Sequence, residues 1–178
     1  MKPQIKSPAT LVTAGLIFVG CKLYFPLANF AFFTFLLWPV AQITGTVIGL
    51  PMDYLPGTGY YFSNYNVLID KSCSGYNFLL LSFMIFVFFL TLKLKTRIPA
   101  FWTISISLFL SYVLTLLANT SRILISMLFT KNSFFFEWVD SRILHESIGV
   151  FCFLSFVIVA TLILDNFLSG SQKNVETT

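Results

Sequence analysis

Four stretches of this chain carry no charge over about the length needed to cross a bilayer. They are Phe30 to Leu50, Tyr76 to Leu92, Ala100 to Ala118 and Ser147 to Leu164. A helical residue rises about 1.5 Å and the hydrocarbon core is about 30 Å thick, so roughly 20 mostly apolar residues span it. A fifth stretch, Ala9 to Tyr24, is interrupted by Lys22, whose long stem can carry its ammonium to an interface. Together they predict an all-α fold: one polytopic transmembrane helical bundle over residues 1–178. Its five spans fall at about 9–24, 30–50, 76–92, 100–118 and 147–164. A cleavable signal peptide is the alternative for the first stretch, but no small-residue cleavage site follows it. Pro39 predicts a kink in the second span.

Composition agrees with that reading. Hydrophobic residues make up 57% of the chain and charged residues 10%, with 22 phenylalanines in 178 residues. A soluble domain carries about a quarter charged residues. The net charge of +4 is modest and suits anionic headgroups better than nucleic acid. No nucleotide loop, metal-ligand cluster, cofactor motif or repeat is present. Three cysteines cannot all pair within the chain, and Cys21 and Cys152 fall inside apolar segments. No structural disulfide is expected.

The connections set the expected topology. Residues 51–72 hold Pro51, Pro56, Gly57 and Gly59, then several tyrosines and asparagines. They read as an aqueous or interfacial loop with tyrosines at headgroup depth. Lys93 to Pro99 is a tight hairpin with Lys93, Lys95 and Arg97. The connection from Asn119 to Leu144 extends the fourth helix or lies along the surface, and its Phe134–Trp138 run reads as interfacial. With five spans, Lys22 and Lys173 share the hairpin side, and Lys2, Lys6, Lys71, Arg122, Lys131 and Arg142 lie opposite. That tally is nearly even. Three charges in one short loop favour hairpin-inside, in an inner cell membrane.

Three chemically capable side chains lie at span ends. Cys73 precedes the third span, Arg122 follows the fourth, and His145 precedes the fifth. Counting crossings puts all three on one face, which is then the outer one. A cysteine at a helix N-terminus feels the positive end of the helix dipole, which favours thiolate, and Lys71 adds positive charge. Ser74 and Gly75 are small and allow close approach. On a continuing helix, Asn119, Arg122 and Ser126 share a face. Arginine near hydrocarbon is costly and marks a site by default. His145 is the chain's one histidine, so any histidine base must be this residue. Gly149 lies on its face and would admit a neighbour. Cys152 lies about 10 Å deeper and is expected to pack. Each residue also has a plainer reading: Cys73 as packing, Arg122 as a lipid-phosphate anchor, His145 as an interfacial polar group.

The ordered set Cys73-Ser74-Gly75, Asn119-Thr120-Ser121-Arg122 and His145-Glu146-Ser147-Ile148-Gly149 resembles the exosortase/archaeosortase family of membrane cysteine transpeptidases. It covers about the last 110 residues, and the short chain is similar in size to the exosortase K branch. The resemblance implies a substrate: secreted proteins ending in a short motif such as Pro-Glu-Pro, a transmembrane helix and a basic tail. It implies cleavage through a thioester and transfer to water, a lipid or a glycan at the outer face. Cys73 would be the nucleophile, His145 the proton carrier and Arg122 the oxyanion or backbone clamp. Asp70, Glu137, Asp140 and Glu146 are candidates to orient His145.

Other chemistries fit less well. A single histidine excludes a His-x-x-x-His zinc pair. No span carries a central aspartate, which argues against an aspartyl dyad. A rhomboid-like serine protease would use Ser74 and His145, but Ser72 stands where that family has glycine. A small transporter or assembly subunit is the non-enzymatic alternative, although no span carries the buried charge of an ion path.

Overall fold

Runs of leucine, phenylalanine and isoleucine with few breakers become five helices. The computed structural model describes residues 8–93, 99–131 and 141–176. The helices are α1 Pro8–Tyr24, α2 Phe30–Ile48, α3 Tyr76–Lys93, α4 Ala100–Lys131 and α5 Ser141–Glu176. The fold is an all-α bundle with one small sheet. Among the described residues four helical segments are long and apolar enough to cross a membrane: Phe30–Ile48, Lys71–Lys93, Ala100–Phe129 and Glu146–Leu168. The first helix, α1, is apolar but shorter, at 17 residues. Pro39 lies inside α2, and the helix continues through it to Gly49, whose φ of 68° closes the last turn.

One stretch differs from the sequence expectation, and one settles between two readings of it. Residues 51–72 are not simply a loop. They contain strands β1 Asp53–Leu55, β2 Gly59–Phe62 and β3 Val67–Ile69, paired antiparallel in the order β1-β2-β3. The physical reason is local composition: Tyr54, Tyr60, Tyr61, Phe62, Val67 and Ile69 are strand formers. The turn Pro56-Gly57-Thr58 and Asn66, at a φ of 51°, supply the reversals. The fourth helix continues past Ala118 to Lys131, so the first part of the Asn119–Leu144 connection extends the helix, one of the two readings the sequence allowed. The basic hairpin at 94–98 and the Phe134–Trp138 run, with Glu137 and Asp140, lie outside the described residues.

The chain packs as two compact units. One comprises Met1–Pro26, Asn77–Leu114 and Phe156–Thr178. Its core sets Ala14 of α1 against Phe83 and Val87 of α3, with Leu11, Met84 and Ile104 around them. Lys22 donates to Asn77 Oδ1 at 2.6 Å, and Lys93 pairs with Asp165 at 2.6 Å. That ion pair is exposed, so it contributes little by itself. Val12, Leu16, Val19 and Leu23 form an exposed apolar stripe along α1, as expected of a helix that faces lipid.

The other unit comprises Leu27–Tyr76 and Thr115–Ser155. Phe33, Leu36, Leu37, Val40, Ala41 and Thr44 form the buried face of α2. The central strand packs on this helix through Phe62, whose ring lies against Gly45. Tyr54 and Tyr60 face each other at 5.4 Å, and both reach Phe30 at 6.4 Å between ring centroids.

One pattern runs along α4. Thr103, Ser107, Ser111, Thr115 and Asn119 recur every fourth residue, and all are buried. Small side chains on one helix face let other backbones approach closely inside a membrane. This stripe ends at Asn119, one turn before Arg122.

Candidate functional site

The site begins with a short 3-10 turn, Lys71–Cys73, that precedes α3. Asp70 builds it. Its Oδ1 accepts from the Ser72 amide at 2.9 Å, the Ser72 hydroxyl at 2.6 Å and the Cys73 amide at 3.3 Å. An aspartate whose carboxylate bonds amides two and three residues on is a recognised turn former. Cys73 therefore sits on a turn three residues before α3 begins, not in the helix itself. That corrects the expectation of a thiol at the helix terminus, because the dipole acts mainly within the end turn. Lys71 is also directed elsewhere. Its ammonium donates to the Ala28 carbonyl at 2.8 Å and lies 5.1 Å from the Phe33 ring centroid. The group beside the thiol is the Ser72 hydroxyl, at 3.8 Å from Sγ.

The next two residues lock the turn to α4. Ser74 is buried, and its Oγ accepts from the Tyr76 amide at 3.4 Å. Gly75 has a φ of 67°, a left-handed conformation that side chains disfavour. A Cβ there would also meet Thr115 Cγ2 at 3.1 Å and the Asn119 amide at 3.4 Å. Both the backbone and the α4 contact therefore call for glycine at this position. Asn119 is fully buried, and its Nδ2 donates to the Cys73 carbonyl. Its Oδ1 is left buried without a hydrogen-bond partner among the described residues. The amide's one observed task is to hold the cysteine's own carbonyl.

Arg122 follows Asn119 by one turn on α4. It lies 22 residues after Ala100, or about 33 Å along the helix, which puts it near the far limit of a bilayer core. Its side chain crosses the backbone of α5 at Gly149. A Cβ on Gly149 would lie 2.9 Å from Arg122 Nε and 3.3 Å from Cδ and Cζ. The guanidinium also stands 5.8 Å from the Phe153 ring centroid, a cation–π distance. The neighbour admitted by Gly149 is therefore the arginine itself.

His145 is in the first turns of α5, four residues before Gly149 and eight before Phe153. These three positions share one helix face. The His145 side chain itself lies outside the described residues. The structure thus joins the Cys73 turn to α4 at Asn119, and joins α4 to α5 where Arg122 meets Gly149.

The remaining candidates are distributed as follows. All three cysteines are free; Cys152 is buried, and Cys21 and Cys73 are partly exposed. Glu146 is exposed. Asp70 is occupied in capping the cysteine turn. Among the described residues no group of histidine, cysteine or acidic side chains could hold a metal. Sequence reasoning missed the Asp70 cap and the Asn119 bond. The first was visible as Asp70-Lys71-Ser72-Cys73, an aspartate followed by a polar turn. The second joins residues 46 apart, and no local pattern reports it.

The chain matches no protein-family model, no curated protein and no solved structure.

Proposed function

We propose that this protein is an exosortase-like cysteine transpeptidase, embedded in the inner cell membrane and acting on the C-terminal sorting signals of secreted proteins at its outer face. One observation carries the reading. The turn bearing Cys73 is bonded to α4 at Asn119, and Arg122 one turn later lies across the α5 face that carries His145. The links from the Cys73 turn to α4 and from α4 to α5 support a site that uses Cys73, Arg122 and His145 together.

In this reading the Cys73 thiolate attacks the scissile carbonyl. The C–S bond forms, the C–N bond breaks, and the amine leaves with a proton supplied by His145. The acceptor is water or a hydroxyl on a lipid or glycan. It attacks the thioester, passes its proton back through His145 and releases the thiolate. Arg122 stabilises the oxyanion or holds the substrate backbone. Gly149 lets it lie close to α5, and Asn119 fixes the carbonyl of the nucleophile residue.

The serine alternative is weakened by position. Ser74 is 2% exposed and caps Tyr76, whereas Cys73 is partly exposed. For the transporter alternative, the described spans offer two buried atoms of charged side chains, Arg122 Nε and Asp165 Oδ1, on different helices; the other buried polar side chains are hydroxyls and the Asn119 amide.

The test is cleavage of a co-expressed secreted reporter ending in a Pro-Glu-Pro-type motif, an apolar helix and a basic tail. The native producing cells' own secreted proteins of that form serve as a second substrate set. Loss of the C-terminal segment only when the protein is present is the expected result. Uncut signals in both sets would remove the sorting function.

A further inference from the structure

The direction in which α1 runs changes the membrane topology. Ala14 packs on Phe83 and Val87, and eight residues later Lys22 bonds Asn77. Advancing along α1 therefore moves back along α3, so the two helices run antiparallel over about 12 Å. The N-terminal end of α3 is the Cys73 end, and α1 arrives at that end. The five-span count instead places Lys22 at the basic hairpin, beyond the opposite end of α3.

The chain between α1 and α3 thus begins and ends on one face, and crosses the bilayer an even number of times. Between them lies one apolar helix of span length, α2. The return segment, residues 51–72, is three short strands with Asp53, Asp70 and Lys71, and it cannot serve as a second span. An even count with one available helix is zero crossings.

Contacts along α2 agree. Near its start, the Ala28 carbonyl accepts from Lys71 and Phe33 lies under the same ammonium. Near its end, Gly45 rests on Phe62 and on the Leu50 carbonyl. Phe30 meets Tyr54 and Tyr60. The sheet therefore lies along α2 rather than beyond one end of it. Open sheet edges are not found exposed to lipid within the hydrocarbon region, so a helix flanked by this sheet belongs at the boundary. Away from the sheet, α2 presents Phe32, Phe35, Trp38, Ile43 and Val47, all exposed.

We propose that α2 does not cross the membrane but lies in the headgroup–acyl boundary on the Cys73 face. Its row of Phe32, Phe35, Trp38, Ile43 and Val47 is then seated in lipid, as in other interfacial helices. The crossing helices are α1, α3, α4 and α5. At 17 residues α1 is at the short end of the range for a span. Both termini fall on the hairpin side. That side then holds Lys2, Lys6, Lys93, Lys95, Arg97 and Lys173, against Lys22, Lys71, Arg122, Lys131 and Arg142 on the other. The tally stays near even, and its small excess moves to the hairpin side, the direction the positive-inside rule favours. The inference does not depend on the chemistry proposed for Cys73, and it leaves Cys73, Arg122 and His145 on one face.

The experiment is single-cysteine labelling of the full chain in intact cells with a membrane-impermeant maleimide, in a Cys21→Ser, Cys73→Ser, Cys152→Ser background. Reporter positions are Leu27→Cys between α1 and α2, Thr58→Cys in the β1–β2 turn and Thr96→Cys in the basic hairpin. Leu27→Cys should label from the same side as Thr58→Cys, with Thr96→Cys labelled only after permeabilisation. Leu27→Cys sharing its side with Thr96→Cys would overturn the proposal. Trp38 provides an independent readout in a Trp102→Phe, Trp138→Phe variant reconstituted with brominated lipids. Quenching strongest from bromines just below the headgroups supports an interfacial α2, and quenching strongest from bromines near the chain ends contradicts it.

Discussion

Cys73→Ala is expected to abolish processing while leaving membrane abundance unchanged. The thiol's hydrogen-bond contact is a long one, 3.8 Å to the adjacent Ser72 hydroxyl, while Asp70 and Asn119 hold the turn through its backbone. Ser74→Ala is expected to retain much of the activity. Ser74 contributes its Oγ to the first amide of α3, and losing such a cap costs about 1 kcal/mol. That loss should appear as a lower melting temperature in detergent rather than a lost reaction. The measurement is reporter cleavage beside protein level for both variants. Full cleavage by Cys73→Ala with none by Ser74→Ala would move the nucleophile to the serine. Full cleavage by both would remove a nucleophile from this turn.

The second large effect is expected at Arg122. Lysine keeps the charge but loses the planar fork of donors. If the guanidinium serves the transition state, Arg122→Lys should insert normally and turn over about 100- to 1,000-fold more slowly. Gly149→Ala should reproduce part of that defect. Its new methyl would lie 2.9 Å from Arg122 Nε, too close for the present arrangement, and a flexible side chain can move away at little cost to folding. The expected signature is a fall in kcat with little change in KM or melting temperature. A silent Arg122→Lys would make this arginine an anchor to lipid phosphate. A Gly149→Ala variant that loses stability but not kcat would make the glycine a packing residue alone.

Much of the helical frame was legible because uncharged apolar runs have few physical alternatives in water. The ends of those runs were less so. Arg122 was read as lying past a span, since a charge normally ends an apolar segment. The helix continues because Ile123, Leu124 and Ile125 follow and no breaker intervenes before Lys131. The sheet was hidden by its turn residues: Pro56, Gly57 and Gly59 mark reversals, but three- and four-residue strands leave little alternation to read. The direction of α1 could not be read from apolarity, because parity counting assigns every apolar run a crossing. The contacts of Ala14 and Lys22 supply what hydropathy lacks. At the site, the residue types were visible from their positions at span ends. Their coupling was not, because Asn119 to Cys73 and Arg122 to Gly149 are long-range contacts. Gly149 was expected to admit some neighbour, and only packing identifies that neighbour as the arginine.

The central claim is that Cys73 forms a covalent acyl intermediate, and mass measurement of the purified protein tests it most directly. The protein in detergent is mixed with a sorting-signal substrate, quenched in acid and analysed for mass on the Cys73 peptide. The account predicts an adduct equal to the substrate's N-terminal fragment, on Cys73, released by neutral hydroxylamine and absent from Cys73→Ala. Substrate turnover with an unmodified Cys73 at every time sampled, or an adduct on Ser74, would contradict it.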